Sequence, residues 1–265
     1  MIIVGERINT SRKPVNEAVA ARDAQHIKDD VRLQIESGAD LIDVNAGSRR
    51  DSEINDLAWL IETIQEELPE ARLCIDSPNP ESIKAVLNQV KHIPMINSTT
   101  IEKSRFEAMA PVIQMRECDI VALCIDDRGI PKNADQALEN ADKLIKEIEK
   151  LGVKRNRIFI DPVIQAVSAN QNAALVVLET IERIRREFDG VNVISGLSNI
   201  SFGLPNRHLV NRTFLALAMN SGLNAAIVDP TDKKLTGTIF ASAVLLGQDQ
   251  WCQEYTRAFR EGKLE

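Results

Sequence analysis

The sequence predicts a closed (β/α)8 TIM barrel, an α/β fold in one domain spanning residues 1–265. Three observations carry this. Eight short apolar runs recur along the chain, each run is followed by a segment with helical spacing of apolar residues, and no linker, low-complexity tract or charge block divides the repeats. Nearly unbroken apolar strands alternating with amphipathic helices imply a parallel sheet buried on both faces. An open doubly wound sheet is the competitor, but the GxGxxG turn that usually follows its first strand is absent.

Taken in order, strands are expected at residues 2–4, 41–44, 73–75, 95–96, 120–125, 158–160, 191–194 and 225–228. Helices are expected near 23–37, 53–68, 80–89, 104–116, 137–151, 171–187, 207–220 and 234–246. The clearest is 137–151, where Leu138, Ala141, Leu144, Ile145, Ile148 and Leu151 share one face. Pro80 suits a first helical turn, where its missing N–H costs nothing, while Pro111 should kink or shorten the helix it falls in.

Composition narrows the function. The chain carries 39 acids against 32 Lys plus Arg, a net charge of −7, which argues against a general nucleic-acid or anionic-membrane binder. The N-terminus lacks a secretory pattern, and apolar runs such as 214–219 fall far short of the roughly 20 residues that span a bilayer, so a soluble cytoplasmic protein is expected. Cys74, Cys118, Cys124 and Cys252 are widely spread without a CxxC pair, and there are only three histidines. Neither a disulfide framework nor a metal site is expected; the cysteines read as buried thiols. His26 and His92 read as surface residues, whereas His208, beside Arg207, could stand near the rim.

A parallel barrel presents the C-terminal ends of its strands at one rim, where catalytic residues gather. The first strongly polar residues at or after the eight runs are Glu6, Asp43, Asp76, Asn97, Asp126, Asp161, Ser198 with Asn199, and Asp229. Capping or turn formation is the bland alternative, most plainly at Asp126-Asp127 and Asp229-Pro230. Eight polar ends in register point instead to a ring of carboxylates and amides on one face of the barrel. Divalent-metal binding through these oxygens is a second possibility, but DxD and EF-hand spacings are absent. A neutral heterocycle rich in N–H donors suits the ring better, because a carboxylate accepts two parallel N–H bonds from a 2-amino-NH edge. Pterins and guanine-like rings present that edge.

Over essentially its whole length the chain resembles the pterin-binding methyltransferases that carry the methyl group of 5-methyltetrahydrofolate to a corrinoid protein. The resemblance lies in IIVGERIN at 2–9, LIDVNAG at 41–47, CIDSPN at 74–79, MINST at 95–99, IDP at 160–162 and GLSNISFGLPNRHLVNRTFLA at 196–216. It implies a TIM-barrel homodimer in which Asp76, Asn97 and Asp161 hydrogen-bond the pterin, Gly196 lets the backbone approach it, and Ser198, Asn199 and Arg207 sit beside its reactive side. Glu6 and Asp43 are candidate rim residues. Phe202 stands where the family often has a polar residue. The related dihydropteroate synthases carry a basic Ser-Arg-Lys type segment after the seventh strand; here it is Gly196-Leu197-Ser198-Asn199.

The resemblance implies an SN2 transfer of the N5 methyl group to a cob(I)alamin cobalt. Expelling N5 requires a donor whose hydrogen bond strengthens as the C–N bond breaks, and Asn199 is assigned that catalytic role. The substrate is tetrahydrofolate or its 5-methyl form, and cobalamin arrives on a separate corrinoid protein, because none of the three histidines sits in the DxHxxG loop of a corrinoid domain. Competing readings are a pterin-binding protein without turnover, a synthase-like enzyme, and a metal-dependent aldolase or lyase on the same barrel.

Overall fold

The computed structural model describes residues 1–264. Its strands are β1 (Ile2–Asn9), β2 (Leu41–Asn45), β3 (Leu73–Asp76), β4 (Met95–Thr100), β5 (Asp119–Leu123), β6 (Ile158–Asp161), β7 (Asn192–Gly196) and β8 (Ala225–Val228). They close into a barrel in sequence order, every neighbour parallel, with β1 hydrogen-bonded to both β2 and β8. The helices are α1 (Lys13–Ala21), α2 (Ala24–Glu36), α3 (Glu53–Glu67), α4 (Pro80–Val86), α5 (Lys103–Ile113), α6 (Ala134–Lys150), α7 (Ala173–Glu187), α8 (Arg207–Ser221), α9 (Lys233–Leu245) and α10 (Gln253–Arg260).

Alternation along the strands sorts their side chains into two compartments. One residue from each strand (Val4, Leu41, Cys74, Met95, Val121, Phe159, Ile194 and Ala225) fills the barrel interior as a separate apolar cluster. Their neighbours, such as Ile42, Val44, Leu73, Ile75, Ile120 and Ala122, point outward into the larger core beneath the helices. The floor of the barrel mouth is therefore a packed plug, and whatever stands two residues further along each strand faces the mouth.

Several elements differ from expectation for identifiable reasons. Strand β1 runs on to Asn9 although Gly5-Glu6-Arg7 interrupts its apolar run. Arg7 is neutralised outside the barrel by Asp30 at 2.8 Å and Asp229 at 3.0 Å, and Ile8 returns to the core. A Cβ at Gly5 would collide with Gln34 Oε1, so a larger residue would push that buried side chain off the Arg7 N–H and Asp30 that it bonds. Helix α1 was not expected; it is short, begins with Pro14 in its first turn and buries only Val15, Ala18 and Val19. Pro111 lies inside α5, where it leaves the Glu107 carbonyl without its helical N–H partner, and α5 ends at Ile113 instead of running to 116. Pro80 occupies the first turn of α4. Strand β5 stops at Leu123, and Ile125 enters the following loop.

Cys74, Cys118 and Cys124 are buried thiols, but Cys252 is exposed, because it precedes α10 outside the packed barrel. His92 lies at the surface, with Nε2 2.8 Å from the Pro69 carbonyl oxygen, and His26 is partly exposed on α2. Among the described residues no helix is long and apolar enough to cross a membrane.

Candidate active site

Two residues beyond the apolar plug stand Glu6, Asp43, Asp76, Asn97, Leu123, Asp161, Gly196 and Ile227. Five of the eight strands thus present a carboxyl or amide to the mouth, while β5, β7 and β8 present Leu123, Gly196 and Ile227. The polar arc is set by register: Asn45 pairs with Asp76, and Asp76 with Asn97. Asp43 pairs instead with Cys74, one layer deeper.

Asp76 ends β3, and its Oδ2 accepts a hydrogen bond from Asn45 Nδ2 at 2.7 Å. Asn45 is held in turn by the Gly47 N–H, which donates to its Oδ1 at 2.9 Å. Burial pushes Asp76 up to about 6; the Asn45 bond opposes this, Glu53 adds to it, and Arg105 opposes it. Asp161 ends β6 almost fully buried, its Oδ1 accepting the Val163 N–H at 2.7 Å and the Ser195 hydroxyl at 3.4 Å. Those bonds only partly offset burial, which lifts Asp161 to about 7. Val163 holds φ at 65°, a strained conformation for a β-branched residue, immediately beside this carboxylate.

Asp43 is buried within β2 and not at the rim, which Asn45 occupies. Burial followed by repulsion from Asp76 raises it well above the carboxylate range, and the neighbouring Cys74 and Asn97 side chains only partly offset this. Its Oδ1 has no partner among the described residues. Glu6 lies mid-strand in β1, raised to about 7 by burial and then by Asp229. The mouth therefore holds several acids poised between neutral and ionised forms. An incoming group with clustered N–H donors draws such acids towards the ionised state.

Strand β7 ends at Gly196 and passes directly into a 3-10 turn, Leu197–Ser201, before α8. Above Gly196 only Asn199 Nδ2 approaches within 4 Å of where a Cβ would stand, at 3.9 Å. The Asn199 side chain is exposed and makes no hydrogen bond among the described residues. Arg207, the first residue of α8, braces the turn: Nη2 donates to the Ser198 carbonyl at 2.6 Å and Nε to Ser201 Oγ at 3.1 Å. Its guanidinium lies 5.9 Å from the ring centroid of Phe202, which is 67% exposed. Ser198 and Arg207 also line a cleft of about 550 Å³ along the β1 and β8 side of the mouth, with Glu6, Asn9, Arg12 and Asn211. Asp76, Asn97 and Asp161 stand outside that cleft, on the remaining arc of the mouth. His208 borders the cleft, with Nδ1 3.2 Å from Asp232.

Two of the eight expected ring residues serve their own loops. Asp126 closes the 126–129 turn and holds Arg128, with Oδ2 2.8 Å from Nε. Asp229 accepts from Thr231 and pairs with Arg7 on the outer side of β1, although it still borders the cleft. The functional reading missed Asn45, which the same alternation marks: it lies two residues beyond Asp43 on one strand face. Among the described residues no group of three His, Cys, Asp or Glu side chains is placed to hold a metal ion.

Comparison with known proteins supplies independent information. The chain is 38% identical over 266 residues, covering 100% of its length and 98% of the relative, to a methylcorrinoid:tetrahydrofolate methyltransferase of Eubacterium limosum. It is 29% identical over 244 residues to a methionine synthase of Mycobacterium leprae, of which it spans only 20%. A dihydropteroate synthase structure from Xanthomonas albilineans with 4-aminobenzoic acid superposes at TM-score 0.67 with 18% identity, covering 93% of this chain and 92% of that one, which shows a shared fold. A family profile described as pterin binding enzyme matches residues 5–229, and with a full-length relative at 38% identity the chain belongs to the pterin-binding enzyme family.

Proposed function

We propose that this protein moves a methyl group between the N5 atom of tetrahydrofolate and the cobalt of a corrinoid carried by a separate protein. The full-length similarity to the Eubacterium limosum methyltransferase carries this reading. The polar arc of the barrel mouth gives it a chemical basis. Ionised Asp76 and Asp161 accept the N–H donors of the pterin edge, and Asn97, beside Asp76 in the ladder, supplies a group that both donates and accepts. Gly196 leaves room for the flat ring, and Leu123 and Ile227 supply apolar wall.

In the direction from 5-methyltetrahydrofolate, the cob(I) electron pair attacks the methyl carbon, a cobalt–carbon bond forms, and the N5–carbon bond breaks with its electrons left on N5. N5 then takes a proton from water that reaches it through the open mouth. Asn199, whose amide has no competing hydrogen bond, donates to N5 as basicity develops there, and this bond strengthens in the transition state. In reverse, N5 of tetrahydrofolate attacks the methyl carbon, the cobalt–carbon bond breaks with its electron pair returned to cobalt as cob(I), and the N5 proton passes to water at the mouth. The corrinoid protein docks over the open mouth in either case, so folate and carrier share one entrance. The family resemblance supports a homodimer, for which sedimentation would return about twice the 29.4 kDa chain mass. The four free cysteines and a reduced corrinoid suit a reducing cytoplasm.

The direct test mixes protein, 5-methyltetrahydrofolate and cob(I)alamin and follows conversion of the cob(I) absorption to that of methylcob(III)alamin. No conversion by folded, folate-bound protein rejects the assignment and favours a binding protein without turnover. Asn199→Ala is expected to slow transfer at saturating folate about 10- to 100-fold, the loss of one transition-state hydrogen bond; a change within about twofold removes Asn199 from the chemistry.

A further inference from the structure

Arg105 lies in the first turn of α5, just beyond the end of β4. Its guanidinium reaches back across two strand ends and donates to three backbone carbonyls. Nη2 meets the Ser98 oxygen at 2.7 Å and the Ser77 oxygen at 3.3 Å, and Nη1 meets the Pro78 oxygen. Ser77 and Pro78 directly follow Asp76, and Ser98 directly follows Asn97. Arg105 makes no ion pair among the described residues. A half-buried cation is therefore committed to carbonyl oxygens, and burial lowers its pKa while Glu102 and Asp76 hold it up.

The backbone needs such a brace here. The β4–β5 ladder shifts register between Asn97 and Thr99, so Ser98 leaves the regular pairing and its carbonyl is taken by Arg105. A planar guanidinium with five N–H donors can span carbonyls of two strands at fixed spacing; an ammonium cannot. From the other side, the buried Glu53 at the start of α3 accepts the Ser77 hydroxyl at 2.6 Å on Oε1 and the Ser82 hydroxyl at 2.8 Å on Oε2. The residue after Asp76 is thus gripped by two charged side chains from different helices.

We infer that Arg105 is a positioning residue: by tying the carbonyls of Ser77, Pro78 and Ser98 together, it fixes the separation of Asp76 and Asn97 that the pterin edge requires. This rests on the folate-binding reading proposed above. Arg105 also acts through its charge, favouring the ionised form of Asp76. The two effects separate by substitution: Arg105→Lys keeps the charge and loses the fork, whereas Arg105→Met loses both.

Calorimetric titration of the full chain with 5-methyltetrahydrofolate tests this. Arg105→Met is expected to weaken binding about tenfold or more, while transfer at saturating folate stays within about threefold. The pH at which affinity falls to half should move upward in Arg105→Met and return to the wild-type value in Arg105→Lys, whose affinity at high pH remains below wild type. Binding by Arg105→Met within about twofold of wild type overturns the inference. So does a variant that melts earlier but whose folded fraction binds folate normally, the signature of a merely structural role. If Arg105→Met does not fold, Arg105→Lys decides: wild-type affinity in that variant overturns the fork. Wild-type protein that binds no folate rejects the methyltransferase reading itself, whereas wild-type binding with unaltered variants rejects only the role of Arg105.

Discussion

Asp161 shows how a single side chain carries opposed demands. Its pKa of about 7 lies above the ordinary carboxylate value of 3.8 because burial outweighs the Val163 and Ser195 bonds. A carboxyl with a raised folded pKa contributes stability that is fully present below the unfolded value and is lost as pH rises through the folded one. Asp161→Asn keeps the shape and the acceptor oxygen without the ionisation. The variant should therefore gain on wild type by about 1.4 kcal/mol per pH unit between pH 4 and 7, with the gap constant above that range. Urea unfolding at pH 5 and pH 8 measures this, and a gap that does not change with pH contradicts the buried-acid account. The same variant should bind folate at least about a hundredfold more weakly, since a charge-assisted pair is replaced by a neutral contact. Stability and affinity thus move in opposite directions at one position, as a preorganised binding site requires.

At the scale of the element, β7 and the turn after it combine two properties, an unblocked strand end and an unpaired amide. Alanine at Gly196 meets nothing nearer than Asn199 Nδ2 at 3.9 Å, and the residue lies at negative φ, so the empty protein has room for the methyl group. Gly196→Ala should keep its melting temperature within about 2 °C of wild type yet weaken folate binding about tenfold or more, because the methyl group occupies ring space. Unchanged affinity would place the pterin elsewhere. The sequence disclosed much of this arrangement, because a residue two places beyond an inward apolar one faces the same way; that parity places Glu6, Asp43, Asp76, Asn97 and Asp161 at the mouth, whereas Gly196 is marked only by the family resemblance. It does not reveal where a strand stops. Asp126 and Asp229 read like the others but lie past the ends of β5 and β8 and turn to their own loops. Nor does it reveal braces assembled by folding: Arg105 meets carbonyls 27 and 28 positions away, and Glu53 meets Ser77 24 positions away, separations at which spacing carries no signal.

TIM barrels as a class divide the work between their two ends, with chemistry at the strand C-termini and stability at the N-termini. At the opposite end from the polar arc, Asp119 opens β5 and is bonded by Arg72 at 2.7 Å and Arg157 at 2.8 Å, residues that immediately precede β3 and β6. This carboxylate joins three strands that are not all neighbours in the sheet, closing the base where the mouth must stay open. Asp119 is buried, whereas its two arginines are partly exposed and can be rehydrated when it is removed. Asp119→Ala should therefore cost about 2 kcal/mol, less than the loss of one partner from a fully buried pair. At about 2–4 °C per kcal/mol for a chain of this size, the melting temperature should fall by roughly 4–8 °C. Folate affinity and transfer rate should remain within about twofold of wild type at temperatures below the transition, as the mouth residues keep their register through the apolar plug. A loss of affinity with little loss of stability would show instead that strain at the base is transmitted along β5 and β6 to Asp161, and that the plug does not insulate the two ends.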